Sequence, residues 1–157
     1  MKKNSATHKL TAGELMLAFG IILHQLFHLT GDVTFAAVSK KGERISRAKG
    51  VAPILETVKA EPDFLKGAVV ADRVIGKAAA MLLYKYGVSE IYTFVASEYA
   101  VEYLSDKSID FTYDNTVSFI VNRDGTDMCP IEKAVLSTDD ADEDERLIRE
   151  KIKAMKG

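Results

Sequence analysis

The sequence predicts a single α/β domain in three layers, with a mixed sheet between helices and an antiparallel hairpin opening the sheet. Three observations carry this prediction. Short runs rich in strand formers alternate with stretches of helical periodicity from residue 50 onward. Two strand-like runs are separated by Ser39-Lys40-Lys41-Gly42, a hairpin turn. The 157 residues, 47% hydrophobic and 28% charged, suffice for one packed core without a disulfide or metal staple.

Leu15, Ala18, Phe19, Ile22, Leu23 and Leu26 recur at helical spacing, which predicts an amphipathic helix over residues 12–29 ended by Gly31. Residues 33–38 and 44–47 form the hairpin strands. Val51, Ile54, Leu55 and Val58 fall on one helical face, and Pro53 fits the first turn, so residues 50–60 read as a second helix. A short buried strand over 67–70 leads into an alanine-rich helix over 71–86, closed by Gly87. The apolar run 91–95 reads as a strand covered on both faces. Ser97 can cap a helix to residue 104. Residues 109–113 alternate as a strand, 116–123 read as an irregular apolar loop, and 129–136 as a short helix. The acidic run 139–145 reads as a solvated segment before a charged helix over 145–155. No repeat or linker divides residues 1–157, so the N-terminal helix and the acidic C-terminal segment are assigned to the same domain.

Composition narrows the function. Acidic residues (23) balance basic ones (21) for a net charge of -2, and no positive field exists to attract nucleic acid. Cys129 is the sole cysteine, which excludes an intrachain disulfide and any zinc site built from two cysteines of one chain, and fits a reducing, cytoplasmic setting. The apolar run 15–23 is about half the length of a membrane-spanning helix. The long polar stretch before it and the lack of a small-residue cleavage pattern argue against a signal peptide.

The segments Ala71-Asp72-Arg73-Val74-Ile75-Gly76-Lys77-Ala78-Ala79-Ala80, Asn122-Arg123-Asp124-Gly125 and Cys129-Pro130-Ile131-Glu132 carry a family resemblance. Together with the element order, they resemble an uncharacterised prokaryotic family with a cytidine-deaminase-like fold, over about residues 30–139. Zinc deaminases of that fold place a histidine or cysteine, with a glutamate two residues on, at one helix start, and a Pro-Cys-x-x-Cys turn at the next. Here Val70-Ala71-Asp72 leaves only Asp72 to echo the glutamate, and Ser97-Glu98-Tyr99-Ala100 supplies no sulfur. His8, His24 and His28 precede the hairpin, on an element that supplies no ligands in the resembled fold. The resemblance therefore implies the fold without a metal or other cofactor, and zinc-dependent deamination is not expected.

Asp72 and Lys77 fall where a strand turns into a helix, a place that favours an anionic ligand. The competing reading is that Asp72 caps that helix and Lys77 is solvated. The segment is not a P-loop, since the earlier glycine is missing and Ala78 replaces the metal-binding hydroxyl. Cys129 sits at an N-cap, where the helix dipole favours a thiolate and a role as nucleophile or redox sensor; a structural cysteine explains the same pattern. Arg123, beside Asn122, can bind a phosphate or pair with Glu132. Ser97 faces the expected pocket and also explains itself as a cap. His24 and His28 are four apart but lack the glutamate of a zincin motif.

Three functions follow as expectations. The first is a zinc-free domain that binds a small nucleotide-like or anionic ligand through Asp72, Lys77, Ser97, Asn122, Arg123 and Glu132. The second is a metal-independent enzyme with Cys129 as nucleophile. The third is a homo-oligomeric or partner-binding subunit whose apolar helix, Leu15 to Leu29, forms the interface.

Overall fold

The computed structural model describes residues 31–157, and the predicted N-terminal helix with its expected oligomer interface lies outside them. Strands β1 (Phe35–Ser39) and β2 (Gly42–Ser46) form the hairpin, with Ser39 opposite Gly42. The chain continues through α1 (Ala52–Ala60), β3 (Val69–Ile75), α2 (Lys77–Lys85), β4 (Glu90–Ser97), α3 (Glu98–Leu104), β5 (Asp110–Val117), α4 (Pro130–Ala134) and α5 (Ala141–Lys156). The five strands make one mixed sheet in the order β2-β1-β3-β4-β5. β1 runs antiparallel to both neighbours, whereas β3, β4 and β5 are parallel. This is a mixed α/β architecture with five helices among the described residues.

The largest correction concerns residues 71–76, expected to open the alanine-rich helix. They extend β3 instead, and Ala71, Asp72, Val74 and Ile75 pair with Tyr92, Thr93, Val95 and Ala96 of β4. Pairing with β1 as far as Asp72 and with β4 as far as Ile75 outweighs the weak helix signal of a segment with one alanine and the β-branched Val74 and Ile75. The helix begins at Lys77 with Gly76 as its N-cap, so Asp72 caps nothing. Gly87, at φ +82°, closes it in the left-handed conformation that glycine adopts at least cost. β5 likewise runs on to Val117, into the expected loop, because β4 offers it a parallel partner as far as Ser97.

The tail also differs from expectation. Asp140 caps α5 by accepting hydrogen bonds from the backbone N–H groups of Asp142 (2.8 Å) and Glu143 (3.0 Å). The run expected to be a solvated segment is thus the first turn of a helix, where carboxylates suit the dipole.

Every described helix contributes to one core on one face of the sheet. Ile54 of α1, Leu82 of α2, Leu104 of α3 and Ile148 of α5 pack with Phe35, Val70 and Ile91, and Ile131 of α4 joins them. On the opposite face Val33, Ala36, Val38, Val69 and Ala71 form a second buried cluster against Tyr92 and Phe94. No described helix is long and apolar enough to cross a membrane.

Candidate functional site

The parallel strands β3 and β4 both end in helix starts, which sets the first N–H of α2 beside the N-cap hydroxyl of α3. Ser97 Oγ accepts from the Ala100 N–H at 3.1 Å, the capping bond its position promised. Between the two starts lies the buried carboxylate of Glu132. Its Oε1 accepts from the Lys77 N–H at 3.0 Å and from Ser97 Oγ at 2.5 Å, and its Oε2 accepts from the Ile120 N–H at 2.6 Å. Helix N-termini favour negative charge, and here the chain supplies that charge from its own α4. Glu132 is therefore engaged by these donors rather than by Arg123, which is exposed on the turn after β5.

Gly76 explains how Glu132 comes so close. A Cβ there would lie 3.0 Å from Ile120 Cγ1 and 3.1 Å from Glu132 Oε1. The absence of a side chain at Gly76 serves this close approach, since its backbone is ordinary extended chain.

Lys77 departs from the solvated role weighed for it. Its side chain is 8% exposed, and its ammonium donates to the Leu136 carbonyl at 3.3 Å and pairs with Asp139 at 3.0 Å. It fastens the turn between α4 and α5. Asp72 is buried on the helix-side face, paired between Phe35 and Thr93. Its Oδ1 has a long 3.5 Å contact from the Val74 N–H and its Oδ2 has no partner. Burial pushes its carboxyl well above the ordinary carboxylate range, against the weak opposing pull of the Val74 and Arg73 backbone N–H groups.

Asn122 builds a separate turn. Its Oδ1 accepts from the Thr126 N–H at 2.9 Å and its amide donates to Thr126 Oγ1 at 3.1 Å. Cys129, half-buried and unbridged, is the residue before α4, and its N–H donates to the Ile120 carbonyl at 2.7 Å. The structure thus brings together Lys77, Ser97 and Glu132; Asn122 and Arg123 lie beyond Ile120 on the loop after β5, with no hydrogen bond to that cluster among those the structure shows.

Beside the Asn122 turn is a cleft of about 300 Å³ walled by Asn122, Asp127, Pro130, Lys133 and Lys151. Lys133 reaches Asp127 only at 3.5 Å. Neither lysine stood out in the sequence, where each is one charge among many on a charged helix; only the docking of α5 against α4 brings them to one cleft. A second cleft of about 470 Å³ lies between α1 and α5, with Leu55 and Ile152 exposed to it and Arg149, Lys153 and Lys156 around it. No group of three or more His, Cys, Asp or Glu able to hold a metal occurs among the described residues.

Comparison with known proteins agrees with this organisation. Residues 23–152 match the family model TM1506, described as a domain of unknown function (DUF1893). The chain is similar to the crystal structure of a DUF1893 family protein (TM1506) from Thermotoga maritima, with 30% identity and a TM-score of 0.76 over 95% of this chain and 99% of that one. No curated protein matches it. A match over most of the chain, and a solved structure similar along nearly the whole of it, establish that the chain belongs to the DUF1893 family of domains of unknown function.

Proposed function

We propose that the protein is a zinc-free binding domain of cytidine-deaminase-like, three-layer architecture that takes a small anionic or nucleotide-like ligand. The architecture is supported by the sheet order and by parallel strands that end in adjacent helix starts. At those starts stand Lys77 and Ser97, and the space between them is filled by the Glu132 carboxylate. An incoming anion would have to displace that group, so the ligand goes instead to the cleft beside Asn122.

The observation that carries this reading is the convergence of Lys133 from α4 and Lys151 from α5 on a cleft of about 300 Å³. The two lysines, of which Lys133 also pairs with Asp127 at 3.5 Å, suit a phosphate or carboxylate, and the Asn122 turn gives the cleft a fixed wall. Calorimetric titration of the full chain with inorganic phosphate, AMP and CMP tests it. Saturable binding of at least one of them, weakened about tenfold or more by Lys133→Ala and by Lys151→Ala, is expected from losing one charge-assisted contact. Absence of binding by all three, or binding unaffected by either substitution, would remove the proposal.

A further inference from the structure

The two edges of the sheet are built differently. β2 is five residues long, carries Glu43 and Arg44, and follows Lys40 and Lys41 of the turn, which is how natural edge strands discourage pairing. β5 is eight residues long, Asp-Phe-Thr-Tyr-Asp-Asn-Thr-Val, with no lysine, arginine or proline. It has β4 on one side and no strand on the other among the described residues, so its outer row of backbone donors and acceptors faces outward. Tyr113 (38%) and Val117 (39%) are exposed there.

We propose that β5 is a self-association edge, at which two copies pair their β5 strands antiparallel about a two-fold axis through Tyr113 and so join two sheets into one. Charge selects this register. A two-fold perpendicular to the sheet keeps the helix side of both copies on the same side, so only residues of the same face can oppose one another. The two longest registers of that kind are centred on Tyr113 and on Asp114. Centring on Asp114 sets two carboxylates directly opposite, which is unfavourable. Centring on Tyr113 sets Asp110 opposite Thr116, Thr112 opposite Asp114, Phe111 opposite Asn115 and Tyr113 opposite itself.

The side chains suit that arrangement. On the helix-side face Phe111 and Tyr113 already lie in contact, with centroids 5.3 Å apart, and would meet the same pair from the second copy. On the other face the Tyr92 hydroxyl holds Asp114 at 2.7 Å, leaving the second carboxylate oxygen to accept from the threonine hydroxyl across the axis. An edge strand used this way gains backbone hydrogen bonds along its length, and alternate side chains set the register.

Sedimentation equilibrium of the full chain over a range of concentrations tests the proposal. The wild type is expected to dimerise reversibly, and Tyr113→Lys, which opposes two ammonium groups at the axis, to raise the dissociation constant at least tenfold with the melting temperature of the monomer kept. Tyr113→Cys in a Cys129→Ser background provides a test that does not depend on the lysine variant folding. At the axis the cysteine faces its own copy at a separation a disulfide can span, and oxidised glutathione is expected to link the pair. A wild type that stays monomeric at high concentration, a dimer that survives Tyr113→Lys, or a cysteine variant that does not cross-link would each overturn the proposal; the second outcome would move the interface elsewhere.

Discussion

Glu132 is the residue on which most of the candidate site's polar order depends. A buried carboxylate that satisfies two backbone N–H groups and a hydroxyl leaves all three unpartnered when it is removed. Glu132→Ala is therefore expected to destabilise the fold by about 3 kcal/mol or more, measured by urea unfolding. Glu132→Gln keeps an acceptor for part of the set and should lose less. A variant as stable as the wild type would show that water replaces the carboxylate without cost. Asp72 was legible as a polar residue near the strand end, but its burial was not. Whether a residue at a strand-to-helix junction caps or pairs depends on the neighbouring strands, and Phe35 lies far from it in sequence.

At the scale of elements, α5 is fastened to α2 by charge. Lys85 pairs with Asp142 at 2.9 Å and Glu145 at 3.0 Å, and the Tyr86 hydroxyl donates to Glu145 at 2.5 Å. Burial alone would raise the Glu145 carboxyl, but the hydrogen bonds from Tyr86, Arg149 and Lys85 outweigh it and hold the group down at about 2. One turn position away, Asp144 is buried with both carboxylate oxygens unpartnered, and burial pushes it up to about 8 despite the positive charges of Lys77 and Lys85. The signs are opposite. Glu145 stabilises the docked helix above its ordinary carboxylate range, and that contribution is lost as pH falls toward about 2. Asp144 favours the folded state most when protonated, and its contribution declines as pH rises from the ordinary carboxylate range through about 8. Asp144→Asn cannot ionise, so its melting temperature relative to wild type is expected to climb between pH 5 and about pH 8, by several degrees in all, and to level off by pH 9. A constant difference across that range would show that Asp144 does not titrate within the fold. The sequence made these carboxylates look like a solvated run, because helical periodicity is weak when only Leu147, Ile148 and Ile152 mark the buried side and Asp144 shares it.

For the whole molecule, all five described helices draw on one core, with Leu82, Leu104, Val135 and Ile148 in the same cluster as Phe35 and Ile91. Unfolding is therefore expected to be a single cooperative step. Far-ultraviolet circular dichroism, which follows the helices, should give the same midpoint as tyrosine absorbance, which follows six tyrosines spread over strands and helices, the buried Tyr103 among them. Separated midpoints would mean that α5 leaves the domain before the sheet melts.

Taken by itself, the sequence determined the succession of strands and helices, the hairpin at Ser39 to Gly42, and the caps at Ser97 and Gly87. These depend on local periodicity, on backbone preferences and on the identity of single residues, all of which can be read along the chain. The tertiary structure decided where β3 ends and α2 begins, that Lys77 fastens a turn, that Glu132 fills the space between two helix starts, and that Lys133 and Lys151 share a cleft. Each depends on groups far apart in sequence. Glu132 meets Lys77 across 55 positions and Ser97 across 35, separations at which no periodic signal survives and only sheet pairing and helix docking fix who meets whom.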